Sequence, residues 1–273
     1  MSGFYEKLTD SWKQQNSLLC VGLDPDLDRL PKSIKNAKHP LYRFNREIID
    51  ATAQWACAYK PQAAYYSAVG AELQLKKTIR YIKSEYPAMP VILDAKRGDI
   101  GSSARMYAIE AFERYQADAV TVNPYLGGDA LEPFLRFQNH GVIVLCRTSN
   151  PGSGDFQQLV SGERAVYQHV AHLAASQWNK NNNVALVVGA TYPQAIKEVR
   201  QIVGDMPLLV PGVGAQGGDL EGALKNGLTE QKKGLIINVS REVIFASAGA
   251  DFSTAAANQA QSICRQINQY RST

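Results

Sequence analysis

Eight short apolar runs, bounded by Gly, Pro, Asn or Asp, constrain this chain more than any other feature. They read LLCVGLD (18–24), WACAYK (55–60), VILDAK (91–96), DAVTVN (118–123), GVIVLCRTS (141–149), NVALVVGAT (183–191), PLLVPGVG (207–214) and GLIINVS (234–240). They are close to continuously hydrophobic rather than alternating, as strands buried on both faces must be. Between them lie segments such as LYRFNREIIDATAQ, ELQLKKTIRYIKSEY and ERAVYQHVAHLAASQW, whose apolar residues recur at helical spacing. Strand and helix alternate throughout, which calls for parallel strands joined by crossover helices. Eight units in a chain of this length predict an α/β fold of the (β/α)8 TIM-barrel type, with an open doubly wound sheet as the alternative.

An extra amphipathic helix at about residues 3–16 precedes the first run and is expected against the N-terminal end of the barrel. No composition shift or long linker divides the chain, so residues 1–273 are expected to form a single domain. The net charge of +4 comes without a Lys/Arg block or an aromatic-interleaved basic stripe, which argues against nucleic acid and suits a small anionic ligand. The polar N-terminus has no apolar signal core, and no run approaches the length of a membrane span. Cys20, Cys57, Cys146 and Cys264 are far apart and lack zinc spacing; they read as buried reduced thiols of a cytoplasmic protein.

Barrel active sites are built at the C-terminal ends of the strands. Those ends carry Asp24, Lys60, Asp94 with Lys96, Asn123, Thr148 with Ser149, Thr191, Gln216 and Arg241. All eight ends being polar is better explained by a polar pocket than by strands merely reaching solvent. Asp94 and Lys96, two apart on a strand, are expected on one side, with Arg97 directed the other way toward a helix. Asp24 and Lys60 end the two preceding strands, so Asp24, Lys60, Asp94 and Lys96 form an alternating chain of charge, with Asp99 just beyond. A structural ion-pair network is the plainer explanation, but desolvation leaves buried pairs weak stabilisers, which favours a functional array.

GVGAQGGD (212–219) and NVSRE (238–242) follow the seventh and eighth strands, where barrels of this class recurrently bind phosphate. Glycines let backbone N–H groups approach an anion, and Arg241 adds a charged fork. SNPGSGD (149–155) reads as a connector, as a mobile lid, or as a contact to the ligand through Ser149. His169 and His172 are three apart on a helix outside the barrel with no further ligand beside them, so no metal site is expected.

DAKRGDIG matches the D-x-K-x-x-D signature of the orotidine 5′-phosphate decarboxylase family, in the form found in one bacterial branch. VGLDPD, AYKPQ, TVNPYLGGD, CRTSNPGSGD, VVGAT, PGVGAQGGD and NVSRE also resemble family segments, in family order. The resemblance implies a decarboxylase without metal or cofactor that makes uridine 5′-phosphate in the last step of its de novo synthesis. It implies that Asp24 and Lys60 hold the ribose hydroxyls, Asp94 faces the departing carboxylate and Lys96 protonates C6. Asp99 would come from the neighbouring subunit of a homodimer. Ser149 and Gln216 would meet the pyrimidine edge, Gln216 with Arg241 would grip the phosphate, and Ser240 would be a further substrate-binding residue. Ser103 stands where many members have Thr, keeping the hydroxyl for a ribose contact.

Three rivals remain open on sequence. They are a metal-assisted enzyme of sugar phosphates, a Schiff-base aldolase using Lys60 or Lys96, and a nucleotide-binding regulator without turnover.

Overall fold

The structure, a computed structural model, describes residues 3–214 and 217–271. The eight apolar runs become β1 (Leu19–Leu23), β2 (Ala58–Pro61), β3 (Ile92–Arg97), β4 (Ala119–Val122), β5 (Gly141–Arg147), β6 (Val184–Val188), β7 (Leu208–Val210) and β8 (Leu235–Val239). They lie side by side in chain order in one parallel sheet, and β1 pairs with both β2 and β8. Isolated bridges Tyr59↔Val91 and Gln62↔Asp94 span the seam between β2 and β3. A doubly wound sheet would leave β1 in its middle and β8 at an edge, so the barrel is the architecture adopted.

A helix precedes the barrel, α1 (Phe4–Gln14), and one major helix follows each strand. These are α2 (Pro40–Thr52), α3 (Glu72–Glu85), α4 (Gly101–Ile109), α5 (Gly128–Leu135), α6 (Val166–Leu173), α7 (Pro193–Val203), α8 (Leu220–Gly227) and α9 (Phe252–Arg271). Helix α2 begins at Pro40, whose fixed φ suits a first helical position, and buries Leu41, Phe44 and Ile48 along one stripe. The Phe44 ring stacks with Phe245 and Phe252 at centroid distances of 5.5 and 5.3 Å, tying α2 to α9. The Asp219 carboxylate caps α8 by accepting from the Gly222 N–H at 2.9 Å.

The N-terminal helix closes the bottom of the barrel, as its position before β1 suggested. Phe4, Leu8 and Trp12 form its buried stripe. Ser11 Oγ donates to the Cys57 carbonyl at 2.7 Å, Tyr5 donates to the Val184 carbonyl, and Lys7 pairs with Asp118 at 3.0 Å. All three partners lie where strands begin. Gly141 opens β5 as glycine because a Cβ there would sit 2.5 Å from the Phe4 ring. The four cysteines are buried as free thiols. No helix among the described residues is long and apolar enough to cross a membrane.

One unanticipated clasp holds this lower end. Arg200 on α7 donates to the carbonyls of Gly204, Met206, Gly227 and Gly234, joining α7, α8 and the approaches to β7 and β8. Burial pulls its guanidinium down to about 10, with Asp205 opposing. Arg200→Met should lower the unfolding free energy by about 3 kcal/mol, because each buried carbonyl left without a donor costs roughly 1 kcal/mol. Urea unfolding measures this; a change below about 1 kcal/mol would mean that water replaces the clasp.

Candidate active site

The C-terminal strand ends surround a cavity of about 480 Å³. Asp24, Lys60, Asp94, Lys96, Ser149, Ser240 and Arg241 all line it. At its centre, the Asp94 carboxylate takes Lys60 Nζ on Oδ2 and Lys96 Nζ on Oδ1, each at 2.7 Å. Lys60 is buried, whereas the Lys96 side chain is 47% exposed, so one ammonium is locked in the wall and the other faces the opening. Burial opposes ionisation of Asp94, but the two ammonium groups outweigh it and hold the carboxyl well below the usual range. Burial likewise opposes the charge on Lys60, yet Asp94 and Asp24 keep it above an ordinary lysine. The pocket therefore holds a buried carboxylate and a buried ammonium that each keep the other charged across the neutral pH range.

The meeting of Lys96 with Asp94 does not come from simple strand alternation. Lys96 sits at φ +45°, in the left-handed region, where β3 slips register against β4 between Leu93 and Arg97. Arg97 turns outward as expected: Nη2 bonds Glu110 at 2.8 Å and the guanidinium lies over the Tyr107 ring.

The loop after β5 carries secondary structure of its own. It forms a short turn (Pro151–Ser153), a one-turn helix (Gly154–Gln157) and a small hairpin of Val160–Ser161 with Arg164–Ala165. Arg147, fully buried at the end of β5, donates to Ser153 Oγ and to Gln157 Oε1 and lies 3.9 Å over the Tyr192 ring. Gln157 Oε1 also accepts from the Thr148 N–H at 2.8 Å. Ser149 packs over Gly189, where a Cβ would come within 2.7 Å of its Cα.

On the opposite wall, Gly212 after β7 and Ser240, Arg241 and Glu242 after β8 line the cavity. Ser240 Oγ donates to the Gly22 carbonyl at 3.1 Å, and Arg241 opens a one-turn helix. Gln216 lies outside the described residues. Asp99 and Ser103 do not line the cavity of their own chain. Asp99 Oδ1 accepts from the Ile100 N–H at 2.8 Å, and Ser103 is exposed on α4.

Two inward residues escaped the sequence reading. Thr121 Oγ1 donates to Asp94 Oδ1 at 2.8 Å, and Asn238 presents a buried Oδ1 without a partner. Each is a lone polar residue in an apolar run, and that is the signal that could have found them. Asp24 Oδ1 is also buried without a partner, so the pocket wall carries two oxygens able to accept from a ligand. Away from the barrel mouth, His169 Nε2 lies 2.9 Å from the Ser161 carbonyl. Among the described residues no three His, Cys, Asp or Glu side chains gather as metal ligands would.

A family described as orotidine 5′-phosphate decarboxylase / HUMPS matches residues 17–255. The chain is 55% identical over 268 residues to an orotidine 5′-phosphate decarboxylase of Ralstonia nicotianae, covering 98% of this chain and 99% of the relative. It is 56% identical over 267 residues to one of Cellvibrio japonicus, covering 97% and 98%. The solved structure of Leishmania donovani OMP decarboxylase superposes with a TM-score of 0.85 at 40% identity over the whole of both chains.

Proposed function

The chain belongs to the orotidine 5′-phosphate decarboxylase / HUMPS family, and we propose that it releases CO2 from orotidine 5′-phosphate with Lys96 as proton donor to C6. The enzyme is a carboxy-lyase of pyrimidine nucleotide synthesis, as its relatives of more than half identity are. Its DAKRGD sequence aligns it with the bacterial branch of the family that carries this motif. The carrying observation is Asp94 held between a buried Lys60 and a half-exposed Lys96, each at 2.7 Å, within the cavity.

Breaking the C6–carboxylate bond leaves its electron pair on C6, next to no carbonyl that could delocalise it. An ammonium fixed beside that carbon stabilises the developing charge and then gives up a proton to it. Lys96 regains its proton from solvent, so the cycle balances without a metal or cofactor. Asp94, ionised by its two cations, faces the substrate carboxylate, and their repulsion ends as CO2 leaves. Asp24, with its unpaired Oδ1, accepts from a ribose hydroxyl beside Lys60. Ser149 and Gln216 meet the base; Arg241, Ser240 and Gln216 hold the phosphate, whose binding energy offsets the repulsion at C6.

The test is loss of orotate absorbance on mixing the protein with orotidine 5′-phosphate in EDTA. Sustained turnover is expected. No turnover would sink the reading, and turnover abolished by EDTA but restored by a divalent cation would move it to a metal-assisted reaction. Trapping of substrate on lysine by borohydride would instead identify an imine mechanism.

Arg241→Ala should weaken binding of uridine 5′-phosphate by about 2–5 kcal/mol and affect the nucleoside much less. Calorimetric titration of both ligands gives the answer. Equal losses would put Arg241 elsewhere than at the phosphate.

The working unit is a homodimer with shared sites. Ile100, Tyr125, Leu126, Phe156 and Val160 are exposed apolar residues on the loops after β3, β4 and β5, three adjacent strands. Apolar side chains so grouped beside Asp99 support a covered face.

A further inference from the structure

We infer that Thr121, on β4, is a positioning residue that holds Lys96 and Asp94 in their working geometry. The inference rests on the decarboxylase reading above. Strand β3 advances four residues between Leu93 and Arg97 while its partner advances only two, from Val120 to Val122. The surplus chain bulges at the point where the charged array is built. Two backbone N–H groups in the bulge, those of Ala95 and Lys96, are captured by Thr121 Oγ1, at 3.0 and 2.9 Å.

The hydroxyl has two acceptor sites and one hydrogen. Both acceptor sites face N–H donors, so the hydrogen must go elsewhere, and Asp94 Oδ1 lies 2.8 Å away. One buried side chain thus spends its whole hydrogen-bonding capacity on the three residues Asp94, Ala95 and Lys96. Those bonds matter because Lys96 adopts φ +45°, a conformation unfavourable for a non-glycine residue that persists only where its surroundings enforce it. The twist lets the Lys96 side chain return to Asp94 Oδ1, the oxygen that Thr121 also holds. Without the hydroxyl, the Ala95 and Lys96 N–H groups and Asp94 Oδ1 lose their shared partner, and the bulge that carries Lys96 would be free to shift. Serine should keep the function, because it retains the oxygen; valine should not, although it has nearly the same shape.

Single-turnover loss of the orotate carboxylate, with binding of uridine 5′-phosphate measured in parallel, makes the test. Thr121→Val should lose about 100-fold in rate, the cost of misplacing a reacting group by about 1 Å, while product binding stays within about threefold. Thr121→Ser should return most of the rate. A folded valine variant within about threefold of the parent rate would overturn the inference, as would a serine variant no better than valine. Should the valine chain fail to fold, Thr121→Cys, with its poor acceptor, takes its place; equality with serine would then overturn the inference. A crystal structure of the valine or cysteine variant separates this outcome from failure of the decarboxylase reading. Lys96 should leave the left-handed region and part from Asp94 whatever the substrate proves to be, and an unchanged Lys96 would refute the positioning role.

Discussion

Lys96→Ala is expected to fold, to bind uridine 5′-phosphate and to lose decarboxylation by at least roughly 10³-fold. The side chain serves two needs of one transition state: charge opposite the carbanion and a proton for C6. Removing a group that acts only there lowers kcat and kcat/KM together, rather than raising KM. Folding should survive, because Lys96 is 47% exposed and its truncation leaves Asp94 still paired with Lys60 at 2.7 Å and bonded to Thr121. The measurement is absorbance loss on orotidine 5′-phosphate, with calorimetric binding of the product as the control. Activity within about tenfold of the parent would remove Lys96 from the chemistry, since a lost proton donor alone typically costs 10²-fold or more. The companion substitution Lys60→Ala should behave differently. It removes the buried partner of a buried carboxylate, so stability as well as rate should fall.

The fold was legible because burial on both faces writes each barrel strand as an unbroken apolar run. Strand limits were less legible. GVIVLCRTS shortens to Gly141–Arg147 and PLLVPGVG to Leu208–Val210, because their polar or glycine-bearing tails leave the sheet to line the cavity. The Val160–Ser161 and Arg164–Ala165 hairpin left no trace, since four exposed or half-exposed residues carry no burial period; Gly162 at φ +64° marks its turn.

Site residues at strand ends announced themselves by charge. The pairing of Asp94 with Lys96 was expected from alternation, but a left-handed residue and a register slip produce it. Local sequence periodicity cannot express either. Thr121 and Arg147 were hidden for opposite reasons. A threonine within DAVTVN passes for a β-branched strand former. An arginine at the end of GVIVLCRTS passes for a solvent-facing charge, although its guanidinium turns inward to fasten the β5 loop.

Mixing two inactive variants, Lys96→Ala and Asp99→Ala, is expected to restore about a quarter of the parental activity. The prediction begins with where Asp99 stands. It lies two residues beyond the end of β3, with Oδ1 turned back onto the Ile100 N–H at 2.8 Å, and it does not line the cavity of its own chain. Ile100 beside it is exposed, and so are Tyr125 and Phe156 on the loops after the next two strands, whose rings meet edge to face at 6.5 Å. A two-fold axis through those loops would carry each Asp99 into the opposite pocket, the arrangement expected of an isologous dimer. Under that arrangement, one site of a mixed dimer holds both lesions. The other pairs an intact Lys96 with an intact Asp99 from its neighbour. Random exchange makes about half the dimers mixed, each with one sound site of two, which gives the quarter. If Asp99 serves its own chain, every site in the mixture carries one lesion and nothing returns. Subunit exchange is verified separately by mass-tagged chains, so a silent mixture with proven exchange would assign Asp99 to its own chain and rule out a shared site.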